Sequence, residues 1–115
     1  MKGRIIRTPQ VPEATHLQFL VLSVLRGGEQ PGRVVRQALA DHGARRTAAA
    51  FYQLMARLEQ DHLVLGAYAP VIVGDQAVTE RRYQITPAGL KVWEQARAFY
   101  AAVGAAARAR QWSDA

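Results

Sequence analysis

The chain has 115 residues, half of them hydrophobic and 21% charged, the composition of one globular domain with one modest core. Lysine and arginine outnumber aspartate and glutamate 15 to 9, for a formal net charge of +6, and all the cations except Lys2 and Lys91 are arginine. Guanidinium groups suit bidentate phosphate contact, so the surplus favours a polyanionic partner, nucleic acid above all. With no cysteine, disulfides, thiolate metal sites and cysteine nucleophiles drop out together. The longest apolar run, Phe19 to Leu25, is interrupted by Ser23 and is far too short to span a bilayer. No apolar stretch resembling a signal peptide precedes Pro9, and the expectation is a cytoplasmic chain without a membrane partner.

Residues 1–12 read as a basic N-terminal arm ending at Pro12, which would open a first helix over Glu13 to Arg26. Leu17, Leu20, Val21, Val24 and Leu25 recur on one helical face, and Gly27-Gly28 stops the run. A second short helix spans Arg33 to Asp41, with Val34, Val35, Ala38 and Leu39 inward and Gly43 as a left-handed cap. Thr47 is placed to cap a third helix, Ala48 to Asp61, with Phe51, Leu54, Met55 and Leu58 on its apolar face. The period then changes. Leu63 to Tyr68 and Val71 to Val73 read as strand, Gly74-Asp75-Gln76 as a turn, and Val78 to Ile85 as the returning strand with Tyr83 and Ile85 on one face. Thr86 and Pro87 open a last helix reaching Arg110, with Val92, Trp93, Ala96, Phe99, Tyr100 and Val103 as its stripe, and residues 111–115 are expected to fray.

Three helices, a hairpin and a long helix are the order of elements in a winged helix-turn-helix, a mainly α fold with a small β-hairpin wing. The short link from the second helix to the third carries Arg45 and Arg46 just ahead of a helix N-terminus. Such termini attract phosphate, and the helix they open is the one that enters the major groove. The run from Thr47 to Val64, with Phe51-Tyr52, Leu54, Arg57-Leu58-Glu59 and Leu63-Val64, resembles the recognition-helix segment of PadR-like transcriptional regulators. Arg81-Arg82-Tyr83-Gln84-Ile85-Thr86-Pro87-Ala88-Gly89 resembles the return of that family's wing, and the first helix is similar too. The resemblance covers about residues 14–103. Two positions depart from it: Arg33, where the family's second helix opens Gly-Tyr, and His62, in place of the family's glycine before the wing. The left-handed conformation there costs His more than Gly.

Candidate DNA contacts follow from position. Arg45 and Arg46 would clamp phosphates, or else form a solvated basic turn. Thr47 is a cap whose neighbouring amides could still meet a phosphate. Ala48, Ala49 and Gln53 are groove-facing candidates, Gln53 through bidentate contact with adenine, although plain helix propensity also explains the alanines. Tyr52 matches the family's tyrosine and is expected either to bond a phosphate or to pack half-buried. Arg57 is an exposed cation. Arg81 and Arg82 point to opposite strand faces, so at most one meets the duplex directly, and Tyr83 adjoins them. The resemblance implies a homodimer formed by the last helix with the first. Leu17, Trp93, Ala96, Phe99, Tyr100 and Val103 would then line a dimer cleft or a pocket for a small planar aromatic effector, intramolecular core being the other reading of each aromatic. No cofactor and no metal site are expected, because His16, His42 and His62 lie far apart in sequence and no thiolate is present. Ser23 and Ser113, the only serines, sit in an apolar helix and in the tail, so the expectation is not an enzyme. The composite expectation is a dimeric repressor on an inverted-repeat operator: residues 13–86 bind DNA, 87–110 dimerise and 111–115 form a tail. A winged helix used for protein contact and one that binds RNA remain as alternatives.

Overall fold

Thr15 sets the start of the first helix. A computed structural model describes Pro12 and residues 14–113, with the backbone alone at 111–113; the basic arm before Pro12 and residues Glu13, Asp114 and Ala115 lie outside the described residues. Helix α1 (His16–Arg26) begins later than Pro12 suggests, because Thr15 and Gln18 form a reciprocal capping box. Each side chain takes up one of the other's backbone amides, satisfying two donors that the first turn leaves without partners. Pro12 therefore precedes the helix and does not open it. Val21, Leu22 and Leu25 are fully buried and make α1 the spine of the core. Burial of each contributes about 1.5–3 kcal/mol.

A short strand, β1 (Gln30–Pro31), follows, and sequence reading gave no sign of it. It leads into α2 (Gly32–Asp41), whose Val35 and Leu39 are buried. The exit from α2 is a Schellman motif. Gly43 takes φ 80°, its N–H donates to the Ala40 carbonyl, and the Ala44 N–H donates to the Leu39 carbonyl. Helix α3 (Ala48–Gln60) has Thr47 as its N-cap, with the Thr47 hydroxyl accepting from the Ala50 N–H at 3.1 Å. Phe51, Met55 and Leu58 lie in the core as the periodicity required, and Leu54 packs against it. The exit from α3 repeats the Schellman pattern with His62 in the left-handed place at φ 61°, and the Leu63 N–H donates to the Leu58 carbonyl.

Strands β2 (Val64–Val73) and β3 (Gln76–Ile85) form one hairpin ten residues deep on each side, longer and less interrupted than expected. Gly74 and Asp75 make its two-residue turn between Val73 and Gln76, and Gly74 supplies the positive φ that a tight hairpin turn needs. The sheet has the order β1-β3-β2 and is antiparallel throughout, with Gln30 opposite Tyr83 and Pro31 opposite Arg82. Tyr83 and Val64 close the core from the sheet side.

Helix α4 (Pro87–Ser113) opens behind Thr86, whose hydroxyl accepts from the Gly89 N–H and donates to the His62 carbonyl. Gly89 has a steric role here: a Cβ would collide with the Leu63 carbonyl, so only glycine lets the first turn of α4 lie on the α3–β2 junction. The helix continues three residues past the expected Arg110. Its first half packs on α1 through buried Ala96 and half-buried Val92 and Trp93. Every side chain from Ala105 to Arg110 is exposed. The radius of gyration is 18.0 Å, well above the order of 13 Å for a compact chain of this length. No helix among the described residues is long and apolar enough to cross a membrane.

Candidate nucleic-acid interface

The α2–α3 turn and the N-terminus of α3 enclose a surface groove of about 710 Å³, lined by Gly32, Arg33, Arg36, Gln37, Ala40, Arg45, Arg46, Thr47, Phe51 and Tyr52. Its lining holds four guanidinium groups and no carboxylate. Helix geometry adds to the positive potential, since the amides of the first turn point out of the end of α3 and carry the positive end of its dipole. Local hydrogen bonds fix the turn. Arg36 donates from Nε at 3.3 Å and from Nη2 at 3.1 Å to the Arg46 carbonyl, and Arg46 donates to the Arg45 carbonyl at 3.2 Å. Arg45 remains exposed and Arg46 half-buried.

Along α3 the exposed face runs from Ala48 and Ala49 through Tyr52 to Gln53 and Arg57. Tyr52 is 56% exposed, its ring edge-on to buried Phe51 at 5.6 Å between centroids, so its hydroxyl reaches the groove while its ring stays anchored. Arg57 pairs with Asp61 one turn on, at 3.3 Å, in an exposed contact. The structure thus brings Arg45, Arg46, Thr47, Ala48, Ala49, Tyr52 and Gln53 to one surface. Arg33 and Arg36 join them there; the sequence marked Arg33 only as a departure from the family's Gly-Tyr and gave no sign of Arg36. They sit at the first and second turns of α2, which helical spacing alone would have placed on one face, but nothing in the sequence aims that face at α3.

The wing differs from expectation. Tyr83 is 1% exposed and is a core side chain, its ring edge-on to Phe51, so it cannot meet DNA. Burial pushes its hydroxyl pKa up, and the neighbouring Arg81 only partly offsets this. Arg81 is turned onto Glu59 of α3, with Nη2 donating to Oε1 at 2.5 Å. Burial works against its charge, but the attraction and hydrogen bond of Glu59 outweigh it, and its pKa stays above the usual arginine value. Arg82 donates to Glu29 at 3.0 Å and to Glu80 at 2.9 Å, and these hydrogen bonds likewise raise its pKa. Neither arginine is a free cation, because each found a carboxylate within the chain. Glu80 also accepts from Arg33 at 3.1 Å.

At the other end of the molecule, Phe19 and Tyr100 stand at 5.2 Å, Phe19 and Trp93 stack at 6.3 Å, and Phe99 lies edge-on to Tyr100 at 5.5 Å. Trp93 Nε1 donates to Ser23 Oγ at 2.8 Å, and Ser23 donates in turn to the Phe19 carbonyl. The Arg26 guanidinium lies 4.4 Å from the Trp93 ring. Tyr100 and His16 are joined by a 2.6 Å hydrogen bond. Leu17 packs against the core, Ala96 is fully buried and Val103 is half-exposed. Among the described residues no cluster of His, Asp and Glu has the makings of a metal site.

A helix pair joined by a tight turn, followed by a β2–β3 hairpin whose sheet β1 completes and by a long terminal helix, defines a winged helix-turn-helix protein. No protein-family model and no curated protein matches the chain. Solved structures do. A PadR family transcriptional regulator from Eggerthella lenta is 30% identical over 83% of this chain and 80% of that one, with a TM-score of 0.61. A PadR family transcription regulator from Clostridium difficile superposes with a TM-score of 0.71 over 84% of this chain and 99% of that one, at 13% identity. The PadR of Bacillus subtilis, solved in complex with operator DNA, has a TM-score of 0.56 and 17% identity over 70% of this chain and 45% of that one. The chain belongs to the PadR family of transcriptional regulators.

Proposed function

We propose that this chain is a dimeric, sequence-specific repressor that reads duplex DNA in the cytoplasm with α3 in the major groove. The arginine-lined groove at the head of α3 carries this reading: the guanidinium groups of Arg36, Arg45 and Arg46, with that of Glu80-paired Arg33, and a helix N-terminus converge on one surface without a carboxylate in the lining. Arg45 and Arg46 hold phosphates on either side of the groove, while Gln53 and the alanine face of α3 meet base edges. Residues 13–86 bind DNA and residues 87–110 dimerise. The exposed outer half of α4 and the elongated shape supply the surface for a second copy. Two copies then span an inverted repeat with half-sites about 34–36 Å apart.

A planar aromatic effector would meet Trp93 on the α1–α4 seam, where its ring stacks on Phe19 and carries the guanidinium groups of Arg26 and Arg97. Such a ligand changes DNA affinity only by its preference for one dimer geometry. The deciding experiment is fluorescence anisotropy against the duplex upstream of the chain's own gene and a scrambled duplex, across a salt series. Tight binding to the first that persists at physiological salt, with weak binding to the second, is expected. Equal and salt-labile binding to both would leave only charge attraction at that duplex and would turn the search first to a distant operator, then to a protein partner or RNA.

A further inference from the structure

We propose that Glu59 and Arg81 are positioning residues that latch the wing to α3 and so fix where the hairpin meets the DNA flanking the major-groove contacts; this rests on the duplex-reading function proposed above. Arg81 sits at the root of the wing on β3, and Glu59 in the last turn of α3. Their ion pair is only 26% exposed on each side, so water screens it less than the exposed Arg57–Asp61 and Arg97–Glu94 pairs. The Arg81 guanidinium also lies 4.8 Å from the ring of Tyr68, its cross-strand partner, and 5.7 Å from that of Tyr83. Gly66 opens the space for it: a Cβ there would collide with the Glu59 carboxylate and the Arg81 guanidinium. A charge pair, two ring faces and a glycine whose missing Cβ leaves room for them therefore meet at the point where the hairpin leaves the core.

The hairpin beyond that point acts as a lever. A strand rise of about 3.4 Å per residue carries the Gly74 turn about 27 Å past Gly66, so a change of about 10° in pitch moves the tip about 5 Å. The lever has no charge with which to find DNA by itself. Residues 64–79 contain no lysine or arginine, their single ionic group is Asp75 beside the turn, and Tyr68, Ile72 and Val73 are exposed. A wing of this kind is not drawn onto phosphates by Coulomb attraction, and its placement has to come from its root.

The sign of one substitution separates this role from a direct phosphate contact by Arg81. In Glu59→Gln, a phosphate-gripping Arg81 would be released, so duplex affinity would rise and the salt slope would steepen by about 1. A latch predicts the reverse: specific binding about fivefold weaker, an unchanged salt slope, and a footprint that recedes on the wing side. Exchanging the pair, Glu59→Arg with Arg81→Glu, restores the footprint. Thermal unfolding of each variant checks that the fold is intact. A second readout needs no DNA, since the cysteine-free chain accepts spin labels at Ala56→Cys on α3 and Asp75→Cys at the wing tip. The inter-label distance distribution is expected to be narrow in the parent and broadened by Glu59→Gln. Stronger binding with a steeper slope, or an unchanged distribution with an unchanged footprint, overturns the latch. A parent chain that reads no duplex removes the function proposed above, and the label distances then decide the latch alone.

Discussion

The chain contains two adjacent arginine pairs, Arg45-Arg46 and Arg81-Arg82, alike as dipeptides and opposite in their surroundings. The first pair lines a groove without carboxylates at the head of α3, and its one side-chain hydrogen bond among the described residues runs from Arg46 to the Arg45 backbone carbonyl. The second pair is held by Glu59, Glu29 and Glu80, and none of these carboxylates is an immediate sequence neighbour of it except Glu80. A cation already hydrogen-bonded to a carboxylate has to give up that partner before it can hold a phosphate, and a cation on backbone carbonyls gives up much less. The same residue types therefore line an open groove in one place and act as internal braces in the other.

The most severe way to break this comparison is to delete the first pair. Arg45→Ala with Arg46→Ala is expected to weaken duplex binding roughly a hundredfold at physiological salt, on all sequences alike, and to lower the salt slope by about 2. Arg82→Ala is expected to leave the slope where it was, and a fall of about 1 in that variant would show the braces to be phosphate contacts after all. Gln53→Ala should cost about tenfold on the operator and remove preference at a single base position, which competition with single-site operator variants reads directly. Glu80→Gln sharpens the comparison from the other side by releasing Arg33, while Arg82 keeps Glu29. Affinity should rise severalfold and the salt slope steepen by about 1 as the freed cation reaches a phosphate.

Two smaller effects test the ground between the regions. His62 holds the left-handed place at the end of α3 at φ 61°. His62→Gly should therefore raise unfolding stability by about 1 kcal/mol in urea titration without altering duplex affinity. Tyr83 is buried, and its pKa is higher in the folded chain than the ordinary tyrosine value. A raised folded pKa means that the unfolded chain loses its proton first, so stability is retained below the unfolded tyrosine pKa and falls as pH rises beyond about 10. Tyr83→Phe should flatten that alkaline decline, and equal slopes in the two proteins would show that Tyr83 does not drive it.

The helices were legible because their signals are local. Apolar spacing placed Phe51, Met55 and Leu58 in the core, Thr47 and Thr86 announced helix starts through their own hydroxyls, and the Gly74-Asp75 turn followed from residues that tolerate its dihedral angles. The start of α1 was misplaced because Pro12 is compatible with a helix N-terminus, whereas the Thr15–Gln18 box, the stronger local device, went unread. Strand β1 escaped because two residues, one of them proline, carry no period at all.

Composition, periodicity and the order of elements thus determined by themselves that the chain is a basic winged helix with Arg45 and Arg46 at the head of its third helix. Those signals act within a few residues of one another, through helix caps, turn dihedrals and the burial of one face. Only the tertiary structure decided which arginines remain free. The partners of Arg81, Arg82 and Arg33 include residues 22, 53 and 47 positions away, and an ion pair forms by proximity in space, which the order of residues does not encode locally.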